Sequence, residues 1–191
     1  MLDTTTTDQV SAILTDFGDA LSAGDIDHAT AMFQDESYWR DLVTFTWNIK
    51  TVEGRAEGAD MLRHQLATTK PSNWRVAEGE TATEDGGVTT AWISFETALA
   101  RGYGLIRLKD DKVWTLLTSM VKLKGHEEPL GFDRPLGAHH GADKHLPTWL
   151  EDREVEAREL GYARQPYLLI IGGGQGGIAP GARLRQLGLN K

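Results

Sequence analysis

Apolar residues recur at helical spacing over 8–23, where Ile13, Phe17, Ala20 and Leu21 form one stripe that ends at Gly24. The pattern predicts a first helix there. Asp25 then caps a second helix, ending near Gln34, that presents Ile26, Ala29, Met32 and Phe33 on a connected face. After Ser37 the period changes to two: Trp39, Val43, Phe45, Trp47 and Ile49 share a parity and Val52 closes the stretch, which predicts one extended run over 37–52. A third helix over 56–69 carries Met61, Leu62, Gln65 and Leu66 and stops before Pro71. Extended runs follow over 74–83, 88–99, 104–109 and 112–124. Glu84-Asp85-Gly86-Gly87 joins the first two as a hairpin, and Lys109-Asp110-Asp111-Lys112 joins the last two. The expected arrangement is an antiparallel meander with both faces partly apolar.

Asp41 shares the parity of the apolar face of the run over 37–52. A carboxylate there must be hydrogen-bonded, open to a wet cavity or partly protonated, because burying it unpaired is costly. It is the candidate general base. The competing reading is a structural carboxylate, paired with an arginine or bonded to backbone amides. His64 lies on the flank of the third predicted helix, where it either faces a pocket as an acid or base or faces solvent. Arg101-Gly102-Tyr103-Gly104 interrupts the meander with a predicted bend or bulge that re-aims Arg101 or Tyr103 toward a ligand, or serves as an ordinary strand connection.

Two helices, a strand bearing an aspartate, a third helix and a meander resemble the nuclear transport factor 2-like superfamily, which includes ketosteroid isomerases and SnoaL-like polyketide cyclases. The stretches that carry the resemblance are Ala31-Met32-Phe33-Gln34-Asp35, Tyr38-Trp39-Arg40-Asp41 and Glu53-Gly54-Arg55. The resemblance implies an α+β fold over 1–124, a cone-shaped curved antiparallel sheet packed with N-terminal helices around a pocket. It implies a hydrophobic small molecule as ligand and Asp41 as the proton-moving carboxylate; Trp39, Trp47, His64, Arg101 and Tyr103 are the pocket candidates, the tryptophans being plain core in the alternative reading. It also places Phe17 where ketosteroid isomerases carry an oxyanion-binding tyrosine. Phenylalanine cannot donate that hydrogen bond, and losing one such donor costs about 100- to 1000-fold in rate. The apolar outer sheet face points to a homodimer.

Beyond Gly125 the composition turns to Gly, Pro, His and charged residues, so 125–165 reads as a linker containing a charged helix over 149–160, opened by Pro147 or Thr148. His126, His139, His140 and His145 match no zinc spacing, and no metal is expected. In 166–191 a buried-type strand, Tyr167-Leu168-Leu169-Ile170-Ile171, runs into Gly172-Gly173-Gly174-Gln175-Gly176-Gly177 and a helical stretch. Gly172, Gly174 and Gly177 form Gly-x-Gly-x-x-Gly, in which the glycines permit a tight turn, a close pyrophosphate and close helix packing. The segment over 122–188 resembles the start of flavin-containing monooxygenases, which implies FAD and NAD(P) in a longer parent. Within the 191 residues no second strand and no ribose-binding acid follow, and Pro180 interrupts the expected helix. The extension is thus an incomplete βα unit, expected to bind no flavin by itself.

A net charge of −8 argues against general attraction to phosphate backbones, so nucleic acid is an unexpected partner. With no cysteine the chain tolerates a reducing compartment, and with no signal peptide or apolar run of about 18 residues it is expected to be cytoplasmic and free of the membrane. Two functions follow: a small-molecule-binding, dimerising accessory domain of a flavin-dependent monooxygenase-like protein, or a free-standing SnoaL-like enzyme using Asp41 for proton transfer or hydration. A third possibility is a purely structural dimer module with a filled interior.

Overall fold

The computed structural model describes residues 3–134 and 145–186. The chain divides into two units, Met1–Glu127 and Glu128–Lys191.

In the first unit, helix α1 spans Asp3–Ala23 and buries Val10, Leu14, Phe17, Ala20 and Leu21 along one stripe. It begins earlier than its apolar pattern, because threonines without apolar partners still continue a helix. It ends where Gly24 takes a left-handed φ of 73° and the amides of Gly24 and Asp25 bond back to the carbonyls of Leu21 and Ala20. Asp25 then caps α2, Ile26–Ala31, by accepting from the amide of His28 at 2.9 Å. This helix is shorter than predicted, since Phe33 already opens a strand.

That strand, β1 (Phe33–Leu42), is followed by β2 (Ile49–Glu53) and by α3 (Gly54–Thr69), which buries Ala59, Met61 and Leu62. Next come β3 (Ser72–Val76), β4 (Thr83–Asp85), β5 (Val88–Glu96), β6 (Ala100–Lys109) and β7 (Lys112–Leu123). They form a curved, unclosed sheet of order β2-β1-β7-β6-β5-β3, with β4 paired to β5. The expected antiparallel sheet is instead mixed: β1 runs parallel to β7, with Asp41 opposite Thr118. The last strand returns beside the first, and the stretch between them, α3 with the intervening strands, supplies the long crossover a parallel pair requires.

The glycine-flanked tyrosine does not interrupt β6. A Cβ on Gly102 would lie 2.3 Å from the ring of Phe95, and one on Gly104 would lie 2.0 Å from the carbonyl oxygen of Leu117. Both glycines are there for close approach within a continuous strand. The irregularity falls on the neighbour, where the register slips between Arg101 and Gly102 and leaves Val121 of β7 unpaired.

The space between helices and sheet is filled with aromatic rings. Trp74 stacks on Phe95 at 4.4 Å and meets Phe17 edge-on at 5.1 Å, while Trp39 meets Phe45 at 5.1 Å and Phe33 at 5.8 Å. Such ring pairs add directional preference to the area they bury.

In the second unit, α4 (Trp149–Glu159) opens with a reciprocal capping box between Thr148 and Glu151. The bonds from the Thr148 amide and, less strongly, its hydroxyl hold the pKa of the Glu151 carboxylate below the usual value. Helix α5 spans Gln175–Gln186 and contains Pro180. Residues 167–171 form no strand; all five are exposed, Ile171 at 91%. A parallel-type strand needs neighbours on its edges and cover on both faces, and none pairs with it among the described residues. His139 and His140 lie outside the described residues.

Candidate functional site

Asp41 sits at the end of β1 and is fully buried. The chain turns back immediately after it, so the amides of residues 44–46 point at its carboxylate. Oδ1 accepts from the amides of Thr44 (3.2 Å) and Phe45 (3.1 Å) and from the hydroxyl of Thr118 (3.0 Å). Oδ2 accepts from the amides of Phe45 (3.1 Å) and Thr46 (2.8 Å) and from the hydroxyl of Thr46 (2.8 Å). A carboxylate offers roughly four lone-pair directions. These donors use them all.

This cluster overturns the single extended run over 37–52. Residues 43–48 form a loop stapled to Asp41, and Val43 and Trp47 take left-handed φ values of 56° and 53°. The parity of the apolar positions is lost with the turn: Phe45 is buried, whereas Trp47 and Ile49 are 58% and 63% exposed.

The pocket candidates do not converge. Trp39 is in the core, its indole nitrogen donating to the Thr118 hydroxyl at 3.0 Å. Trp47 stands on the exposed loop. His64 is exposed on α3, its Nδ1 2.8 Å from the carbonyl of Asp60. Arg101 and Tyr103 face the outer side of the sheet, where Arg101 lies 3.7 Å from Glu127 and Tyr103 stacks on Trp92 at 5.2 Å. The hollow beside Phe33, Trp39 and Val52 holds about 10 Å³, the space of a single water.

A larger concavity lies outside the core, in the layer of helices. A groove of about 630 Å³ runs between the turn from α1 to α2 and the last turns of α3, floored by Leu21, Ile26, Leu62 and Leu66 and flanked by Arg63 and Lys70. Periodicity along the chain does not show it, because its residues belong to four separate elements, α1, α2, α3 and β3. Lys70 in front of Pro71, ending a helix, was the only local sign.

In the second unit, the glycine turn fits its motif at one point. A Cβ on Gly177 would lie 2.1 Å from the carbonyl oxygen of Gly172, so the third glycine has to lack a side chain. Residues 167–171 lead into the turn without strand pairing among the described residues. Among those residues no group of potential metal ligands gathers, and no helix is long and apolar enough to cross a membrane.

Fold and site define an α+β module in which α1, α2 and α3 cover one face of a curved mixed sheet. No family model and no curated protein matches the chain. Among solved structures it is similar to a domain of unknown function with a cystatin-like fold from Nostoc punctiforme, at 13% identity over 59% of this chain and 75% of that one, with a TM-score of 0.49. It is likewise similar to an NTF2-like protein of unknown function from Cytophaga hutchinsonii (15% identity, 57% and 87% coverage, TM-score 0.39). An LEH-like epoxide hydrolase of M. tuberculosis is similar at 14% identity, 60% and 84% coverage and a TM-score of 0.41. These are likenesses of fold alone.

Proposed function

We propose that the first unit is a small-molecule-binding, self-associating accessory module rather than a proton-transfer enzyme, and that the glycine turn of the second unit belongs to a dinucleotide-binding domain of the flavin-dependent monooxygenase type. The observation that carries the first part is the fully buried Asp41 carboxylate, whose two oxygens are engaged by six hydrogen bonds. A general base needs a free lone pair within reach of a substrate proton. Asp41 has neither. Its role in this reading is to hold the loop over 43–48.

Self-association is supported by the outer face of the sheet. There the Trp92–Tyr103 stack adjoins Leu105 and Leu117, which oppose each other across β6 and β7, with Arg40 and Arg107 beside them. An apolar centre with a polar rim is how protein interfaces are built. FAD and NAD(P) are assigned to a longer parent, and the chain itself is expected to purify without stoichiometric flavin.

Sedimentation equilibrium tests the reading. The chain is expected to sediment as a dimer and Leu105→Glu as a monomer with an unchanged circular dichroism spectrum. A monomeric parent chain, or turnover of a hydrophobic substrate that Asp41→Asn abolishes without unfolding, would refute it.

A further inference from the structure

The helical groove differs from the core in three ways: it is open, it is of ligand size, and its charge has one sign. Its volume of about 630 Å³ lies in the range of small-molecule sites. The floor is apolar, with Leu21 and Leu62 buried and Ile26 and Leu66 half-buried, so an apolar chain laid on it removes water from both surfaces. Arg63 and Lys70 stand on its walls, and neither side chain takes part in a hydrogen bond or ion pair among the described residues. No carboxylate lines the groove, in a protein whose net charge is −8. Two unpaired cations over an apolar floor therefore complement an anion that carries a hydrocarbon tail.

The same walls restrict the head group. Both long helices bordering the groove end there, α1 at Ala23 and α3 at Thr69, so they present carbonyls rather than amides. A helix C-terminus disfavours negative charge, and the one helix N-terminus at the groove, that of the six-residue α2 at Ile26, is already capped by the Asp25 carboxylate and offers a phosphate dianion no free anion site. A single negative charge held by Arg63 and Lys70 alone is the better match. A second hollow of about 290 Å³ shares Ser22 and Ser72 with the groove, but Thr15, Asp19 and Asn73 line it beside Leu14, Gly18 and Trp74, so an apolar tail is confined to the first groove.

We infer that this groove binds an amphipathic monocarboxylate, an aliphatic acid of roughly eight to twelve carbons, with its carboxylate between Arg63 and Lys70 and its chain on Leu21, Leu62 and Leu66. The inference rests on the small-molecule-binding reading above and gives that reading a place and a ligand class outside the core.

Isothermal titration calorimetry with decanoate, decanol and decyltrimethylammonium, each below its micellar concentration, tests it on the whole chain. Decanoate is expected to bind one to one, at least about tenfold tighter than either other probe, and Arg63→Glu with Lys70→Glu is expected to remove that advantage. Ala67→Trp, which fills the groove from an exposed position, is expected to abolish binding of all three. Thermal melting of both variants near the parent value shows that folding is intact. Decanoate binding that survives both variants refutes this groove while leaving a small-molecule site elsewhere. Failure of all three probes to bind saturably refutes the groove and removes the support it gives to the module's binding role.

Discussion

The hydroxyl of Thr118 donates to Oδ1 of Asp41 at 3.0 Å across the parallel pair of β1 and β7, and the same hydroxyl accepts from the indole of Trp39. The buried chain Trp39–Thr118–Asp41 thus joins the first strand, the last strand and the loop over 43–48. Asp41→Asn replaces an acceptor oxygen with an amide that faces backbone donors. A lost charge-assisted bond and a buried donor left unpaired together cost about 3 kcal/mol. Urea unfolding is expected to show that loss. A catalytic base not used by the fold would tolerate the change with little loss of stability.

Three glycines in the first unit separate close approach from conformational freedom. At Gly104 a methyl group meets the backbone carbonyl of Leu117, and at Gly102 it meets the ring of Phe95; the Cβ of a Gly58→Ala variant in α3 meets nothing within 4 Å. Gly104→Ala and Gly102→Ala are expected to cost about 1–3 kcal/mol or more, Gly104 the most because backbone yields least. Gly58→Ala is expected to stabilise the fold by about 0.5–1 kcal/mol, since alanine loses less freedom in a helix. Denaturant midpoints for the three variants check the order.

Val43 is a β-branched residue held at a φ of 56°, where L-residues with bulk at Cβ are strained. The amides gathered by Asp41 hold it there. Val43→Asn, a residue that tolerates the left-handed region, is expected to raise stability by about 1 kcal/mol. A thermal melt decides it: a fall in midpoint would mean that the contacts of this half-buried side chain outweigh the strain.

Lys124 donates to the Glu96 carboxylate at 2.7 Å and to the carbonyl of Thr97 at 2.7 Å, tying the end of β7 to the end of β5. The lysine's hydrogen bond holds the pKa of Glu96 below its ordinary value of 4.5, against the opposing pull of desolvation. The folded value lies below the unfolded one, so the pair's stabilisation is complete above pH 4.5 and fades as pH falls through the folded value. Glu96→Gln is expected to be the less stable form at pH 7, by less than about 1 kcal/mol for so exposed a pair, and to converge with the parent in acid. Parallel stability curves for the two would show that the pair contributes nothing.

Much of the order of elements could be read directly from spacing. The stripe of Phe17, Ala20 and Leu21, Gly24 as a stop, Asp25 as a cap, the Gly86-Gly87 hairpin and the limits of β7 all depend on neighbours within a few residues. The capping box at Thr148 and the start of α5 among the glycines are equally local. What failed was non-local. Trp47 and Ile49 share a parity with buried Phe45 and still face water, because the amides after Asp41 turn to its carboxylate and break the strand that would have carried the alternation. Trp39 looked like a pocket wall and is core. Leu168 and Leu169 looked like a buried strand and are exposed, since a strand exists only when another pairs with it.

The candidate site divides in the same way. The sequence by itself determined that Asp41 shares an apolar parity and needs partners or a wet cavity, that helices would precede a meander, and that Gly177 closes a Gly-x-Gly-x-x-Gly run. Only the tertiary structure decided that six hydrogen bonds from five donor groups supply those partners, that aromatic rings close the interior, and that Arg63 and Lys70 flank an apolar groove. The reason is physical: periodicity records which side a residue faces within its own element, while the contents of a cavity and the partners of a buried charge depend on which distant elements meet there.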